Sequence, residues 1–422
     1  MGIRDFIHRI FCINYYQFLN EFSFDDTILL CSSMISNNEI ALWNGFQRNH
    51  GDKMKKTSCL KVLGYLIVAA SCLLMAVVPS LAADNAKDQI LNKTGDSITI
   101  IDSAGRTVNI PLPVEHIIPT DYRTTEALLA LGARDMVVGV DTAFHQRMAE
   151  FGLEDVPEAS VHAGEVNYEE ILQLKPDLII LPVSGASYAD EVAKKLPTIP
   201  VIVMSATTRQ DGIPELKILG QILGKEEQAN ELINWTNKYS GIVEERTRDL
   251  KDSDKPTFYY EYMSESSKWQ AIPPTNPAGM VVEGCGGRNL AADLLLNGSV
   301  AQVDAEWVLS KNPDFIFMDL MKGFDSGPGK TEADMKSLLA GYVDDRASEG
   351  FGNLTAVQNN HVCLIDRDMV TGPRWVIGHV CFAKWLHPDL FEDLSPEDMN
   401  KEYLKEFHEI DVPGIWAYPV PK

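Results

Sequence analysis

One segment of this 422-residue chain occurs twice. Residues 166–181 read VNYEEILQLKPDLIIL and residues 303–318 read VDAEWVLSKNPDFIFM. They align without a gap, sharing Val, Glu, Leu, Pro, Asp and Ile at matching places. Each reads as a short amphipathic helix, then Pro-Asp, then an apolar strand. A supersecondary unit repeated at this separation predicts two similar α/β lobes. Facing lobes enclose a cleft, and clefts between domains are where small ligands bind.

The front of the chain is of another kind. Lys53, Lys55, Lys56 and Lys61 lead into the apolar run 62–78, and Pro79, Ser80, Leu81, Ala82 and Ala83 follow. A basic stretch, an apolar stretch and small residues at the exit read as a secretory signal over 54–82, cut after Ala82. The competing reading is an uncleaved anchor, since the run is just long enough to span a bilayer. Residues 1–53 carry no clean periodicity and read as a non-native extension ahead of a start at Met54.

Residues 1–83 hold 7 basic and 6 acidic side chains, which leaves 30 and 54 in the remainder, a net charge of −24. So acidic a body argues against nucleic acid and against a basic membrane patch. Cys285, Cys363 and Cys381 lie too far apart for a zinc motif or a disulfide framework. A single disulfide and three buried thiols both remain open.

Along the mature chain, 83–96 is polar and reads as a flexible leader. Residues 97–110 (SITIIDSAGRTVNI) read as a hairpin. Residues 116–119 are a short strand, 124–131 a helix stopped by Gly132, and 136–140 (MVVGV) an apolar strand. The first repeat and a strand at 200–205 complete an N-terminal lobe over 97–210. Strands alternating with helices imply a mostly parallel sheet covered on both faces. From 211 to 252 the strand signal stops. Leu216, Leu219, Leu223, Leu232, Ile233, Tyr239, Ile242 and Val243 recur at helical spacing. Gly224 breaks a first helix, and a second over 226–250 is long enough to bridge two lobes. Residues 253–422 form the second lobe. It has strands at 257–262 and 361–366, the second repeat, a Gly-rich region at 279–288 ahead of a short helix, a loop at 324–330, and helices at 375–386 and 395–408.

These motifs together resemble the periplasmic iron-complex and vitamin B12 substrate-binding proteins of ABC importers, over about residues 97–390. ITIIDSAGRTVNIP is similar to that family's opening hairpin. TDYRTTEALLALGARDMVVGV is similar to its first strand–helix–strand unit, and the two repeats resemble its lobe repeats. The resemblance implies two Rossmann-like lobes joined by one long helix. It implies an extracytoplasmic receptor rather than an enzyme, a monomer without a cofactor, serving an ABC permease and its ATPase. The expected ligand is an Fe(III) chelate of the siderophore kind. The alternatives are cobalamin, haem, a bare transition-metal ion, or a sensor module without a permease. In the vitamin B12-binding members a surface Glu in each lobe repeat pairs with permease arginines, and the matching positions are Glu169 and Glu306.

Ligands of α/β lobes sit at the carboxyl ends of the strands. The loops there, 120–124, 141–145, 182–188, 262–269, 321–325 and 366–375, carry Tyr122, Arg123, Tyr188, Tyr262, Trp269, Arg374 and Trp375. Arginine forks suit anionic chelate oxygens, and aromatic faces supply a flat apolar wall. Arg123 and Arg374, one per lobe, are therefore the expected clamp. FDSGPGKT lacks the first Gly of a phosphate-binding loop, because position 324 is Phe. No HExxH and no histidine-rich loop appears. The seven mature-chain histidines, at 116, 145, 162, 361, 379, 387 and 408, form no close ligand pair in sequence, although folding could join His145 and His162.

Overall fold

The protein's structure is a computed structural model, which describes residues 88–141, 151–159, 161–162, 165–205, 212–263, 267–294, 300–320 and 326–420. The segment read as a signal and the residues ahead of it lie outside this set, as do 142–150, 160, 163–164, 206–211, 264–266, 295–299, 321–325 and 421–422. Among the described residues no helix is long and apolar enough to cross a membrane.

The first element is a strand where a flexible leader was expected. β1 (Gln89–Lys93) pairs antiparallel with β2 (Ser97–Ile101), which pairs with β3 (Thr107–Pro111). All of β1 is exposed, so no burial pattern advertised it; backbone pairing and the contacts of Lys93 with Gln221 and Glu226 hold it. The N-lobe proper has three parallel strands in the order β4 (Ile117–Pro119), β5 (Leu178–Leu181) and β6 (Val201–Val203). Its helices are α1 (Tyr122–Ala130), α2 (Tyr168–Leu174), α3 (Ala189–Lys195) and α4 (Gly212–Leu223). The expected strand at 136–140 is only two isolated bridges, Ile117 to Val137 and Val140 to Glu158. A Cβ on Gly139 would stand 2.8 Å from Leu174, so this stretch passes too close to its neighbours for a regular pleat.

α5 (Glu226–Thr247) is the bridging helix, about 33 Å long at 1.5 Å per residue. It buries Leu232, Ile233, Tyr239 and Val243, as the periodicity predicted, and Trp235 besides, while Ile242 is only partly buried. Beyond it comes a seven-stranded sheet centred on three parallel strands: β7 (Thr257–Tyr262), β11 (Phe315–Leu320) and β12 (Val362–Asp366). Short edge pieces β8 (Gln270–Ala271), β9 (Arg288–Asn289) and β10 (Ala301–Gln302) flank β7, and β13 (Ala417–Tyr418) flanks β12. The helices are α6 (Pro277–Val282), α7 (Ala305–Lys311), α8 (Glu332–Asp345), α9 (Trp375–Leu386) and α10 (Pro396–His408). The short helix of the Gly-rich region is α6, which overlaps that region rather than following it. α8 carries a capping box between Thr331 and Asp334 that the sequence reading passed over.

The two repeats fold alike down to their caps. Asn167 and Asp304 accept the first-turn N–H groups of α2 and α7. Lys175 and Asn312 end the helices in the left-handed region. Asp177 accepts the backbone N–H groups of Glu115 and His116, and Asp314 accepts that of Thr257. Each Pro-Asp thus ties its own strand to the start of the neighbouring parallel strand that precedes it in the chain.

One apolar cluster runs through α1 and the inner side of the N-lobe sheet, across α4 and α5, to α9 and the inner side of the C-lobe sheet. Separate clusters cover the outer faces. Every residue of α9 is buried, as a helix surrounded on all sides requires. Gly378 allows it: a Cβ there would meet the Met369 carbonyl oxygen at 2.1 Å.

α10 closes the molecule by packing on α1 and α5. Trp235 Nε1 and the Tyr239 hydroxyl donate to Glu402 at 2.9 and 3.0 Å. At its end His408 packs edge-on to Phe151 and against Tyr403, with no hydrogen-bond partner on either ring nitrogen among the described residues. Burial holds this imidazole well below its ordinary value, and Arg374 and Arg134 push the same way. The unfolded chain therefore binds more protons once pH drops below about 6.5, and stability falls with it. Urea unfolding at pH 7.5 and pH 5 should show that loss in the native protein and a smaller loss in His408→Phe.

Candidate functional site

The strands β4, β7, β11 and β12 end toward the junction of the two lobes, and so do the residues just beyond them. Asp121 caps α1 by accepting the Thr124 N–H at 3.2 Å, which fixes the first turn. That turn presents Tyr122 and Arg123. The Arg123 guanidinium lies 4.3 Å from the Tyr122 ring centroid and donates to Asp121 at 3.2 Å. Its Nε donates to Thr371 Oγ1 at 2.9 Å and to the Thr371 carbonyl at 3.1 Å, crossing from one lobe to the other.

From the C-lobe, Asp319 at the end of β11 faces Arg367, the first residue beyond β12. Arg367 Nη1 stands 2.7 Å from Asp319 Oδ2, and the guanidinium carbon lies 5.1 Å from the Tyr262 ring centroid. Burial pushes the Asp319 carboxyl up to about 6; Arg367 opposes the rise, Asp366 adds to it and Arg123 opposes it. Burial also works against the charge of Arg123, but Tyr122, Asp121 and Asp319 outweigh it. Asp319 is thus ion-paired with Arg367 and feels the charge of Arg123 from the other lobe, with Tyr262 beside the first arginine and Tyr122 beside the second. Such a group can meet an anionic, partly flat ligand with guanidinium forks and ring faces.

Arg374 does not face a cleft. It is 1% exposed. Its Nε lies 2.8 Å from Glu126 of α1 and its Nη2 3.6 Å from Asp368, with Asn400 and Tyr403 of α10 beside it. Arg374, expected as half of an arginine clamp, is placed by the structure as a buried, ion-paired arginine at the lobe junction. Trp375 is 4% exposed, the first residue of the buried helix α9, and packs edge-on to His379. Trp269 belongs to the outer core of the C-lobe. Its N–H donates to Glu261 at 2.9 Å, its indole to Glu349 at 3.1 Å, and it packs on Phe351. Both tryptophans are thus core residues, where bulk and apolar surface take them. Tyr188 is half-buried beyond β5 against Gly185 and the outer cluster of the N-lobe. The structure therefore brings together Tyr122, Arg123 and Tyr262, and adds Asp319 and Arg367. The signal for Arg367 was available: it is the first charged residue past the strand VCLID.

Glu169 and Glu306 are exposed in the first turns of α2 and α7, at matching places in the two repeats. The three described cysteines are buried and none of them is in a disulfide. Among the described residues no group of three or more His, Cys, Asp or Glu could hold a metal ion. His145 lies outside them, and so does the side chain of His162.

Residues 117–369, more than half of the chain, match the family described as periplasmic binding protein, and the chain belongs to it. The chain is similar to the ABC transporter substrate-binding lipoprotein YvrC of Bacillus subtilis, at 24% identity over 76% of this chain and 98% of that one. A cobalamin-binding protein of Halobacterium salinarum is 23% identical over 63% of this chain and 69% of its own. Among solved structures, the TroA-like periplasmic binding protein FepB of Veillonella parvula superposes with a TM-score of 0.66 at 23% identity, covering 76% of this chain and 98% of that one. This is a substrate-binding protein of the ABC-importer class, with the two-lobed α/β fold expected from the repeats.

Removing one member of a buried ion pair strands the other charge. Arg374→Ala should cost about 3–5 kcal/mol in urea unfolding. Arg123→Ala, at a quarter-exposed side chain, should cost much less.

Proposed function

We propose that this receptor captures an anionic iron chelate of the siderophore class at the lobe junction. It then delivers the chelate to an ABC permease, docking through Glu169 and Glu306. The observation that carries the reading is the pair Arg123 and Arg367, one from each lobe, each beside a tyrosine ring, with Arg367 ion-paired to Asp319 and Arg123 acting on the same carboxylate by its charge. Two guanidinium groups at the carboxyl ends of facing sheets select negative charge, and the rings select breadth. We place the protein on the outer side of the cytoplasmic membrane, carried there by the segment 54–82. It works as a receptor without chemistry of its own. The long helix and the paired junction favour small lobe motions over hinge closure.

Calorimetric titration with ferric citrate, a ferric tris-catecholate, a ferric hydroxamate, cobalamin, haem and bare Fe, Zn, Mn and Ni ions tests the cargo. An anionic ferric chelate should saturate one site. Arg367→Ala or Arg123→Ala should each weaken it about 10- to 100-fold, the worth of a charged hydrogen bond. Saturation by cobalamin alone, unmoved by either variant, would overturn the reading. Glu169→Ala with Glu306→Ala should abolish chelate uptake by cells while leaving affinity in solution unchanged, because exposed charges at a transient interface set register rather than ligand contact.

A further inference from the structure

The buried carboxylates of this protein are held in different ways. Glu261 accepts from Arg346, the Tyr342 hydroxyl and the Trp269 N–H. Asp102 accepts from Arg106 and three backbone N–H groups. Asp366 accepts from Ser326 and the Asp368 N–H. Asp319 is 0% exposed and has one close cation, Arg367 at 2.7 Å, without the alignment of a hydrogen bond. No other described residue donates to its side chain. A buried carboxylate with one ion-paired arginine shifts toward its neutral form when that arginine is taken away, and the more distant charge of Arg123 only partly offsets this.

We propose that Asp319 stands in for the ligand's anion in the empty receptor, and that binding an anionic chelate at Arg367 releases Asp319, which takes up one proton from solvent. This rests on the reading of the site as a receptor for an anionic chelate. An anionic oxygen of the ligand takes over the Arg367 N–H groups, and the proton closes the charge balance at Asp319. The surroundings allow it. Facing Asp319 are Arg367 just beyond β12, Asp366 at the end of β12, Tyr260 and Tyr262 of β7, and the charge of Arg123 in α1. Burial already holds the carboxyl up to about 6, and Asp366 adds to this. Without Arg367 the neutral form is the stable one at neutral pH. The direction follows. Above about pH 6 the empty receptor holds Asp319 ionised and the loaded one holds it protonated, so capture takes up a proton and affinity rises as pH falls toward 6. Below that the dependence levels off.

Calorimetry on the whole protein tests this, with ferric citrate and a ferric tris-catecholate as probes. Titrations at pH 6, 7 and 8 in pairs of buffers with different ionisation heats count the protons exchanged. After subtracting the probe's own protons, measured on the probe alone, uptake should approach one at pH 8. Affinity should fall by up to about tenfold per pH unit. In Asp319→Asn the uptake should vanish and the affinity should be flat with pH and tighter at pH 8. If that variant does not fold, the proton count on the native protein decides. Saturable binding with no proton uptake would overturn the linkage and leave the receptor reading intact. Binding of neither probe, with cobalamin binding instead, would overturn the receptor reading and the linkage with it.

Discussion

The arrangement of the two lobes depends on a guanidinium that cannot reach water. Arg374 sits at the start of a helix buried on every side, so its charge must be met from within. Glu126 meets it from the other lobe, Asp368 from its own, and α10 supplies Asn400 and Tyr403 around it. This places the first turn of α1 against the segment beyond β12. Arg123 of α1 meets Thr371 of that same segment.

The repeat, the bridging helix and the closing helix were legible in the sequence because each rests on local signals. Helical spacing marked α5, Ser395 as N-cap with Asp398 in the first turn marked α10, and the repeated Pro-Asp marked the two lobes. β1 was missed because an exposed strand held by backbone pairing leaves no apolar alternation to read. The irregular course of 137–140 was missed for the opposite reason, since apolar composition alone does not show that Gly139 passes too close to Leu174 for a pleat.

The site was legible as a set of loops and not as a set of side chains. Sequence position puts Arg367 and Arg374 in the same loop beyond the same strand. Only the fold shows that one returns to Asp319 at the sheet end and the other turns inward to Glu126. The tryptophans misled for a related reason. A large ring near a strand end serves a pocket or a core equally well, and packing on Phe351 or His379 decides between them.

The apolar cluster that passes through α5 and α9 without a break has a bearing on how the chain comes apart. Two lobes of similar plan would ordinarily melt as two domains, each protecting its own amides. Here the inner face of each sheet is sealed by helices that also seal the other, so neither lobe keeps a complete interior when its neighbour is lost. The expected consequence is a single cooperative unfolding transition for both lobes together.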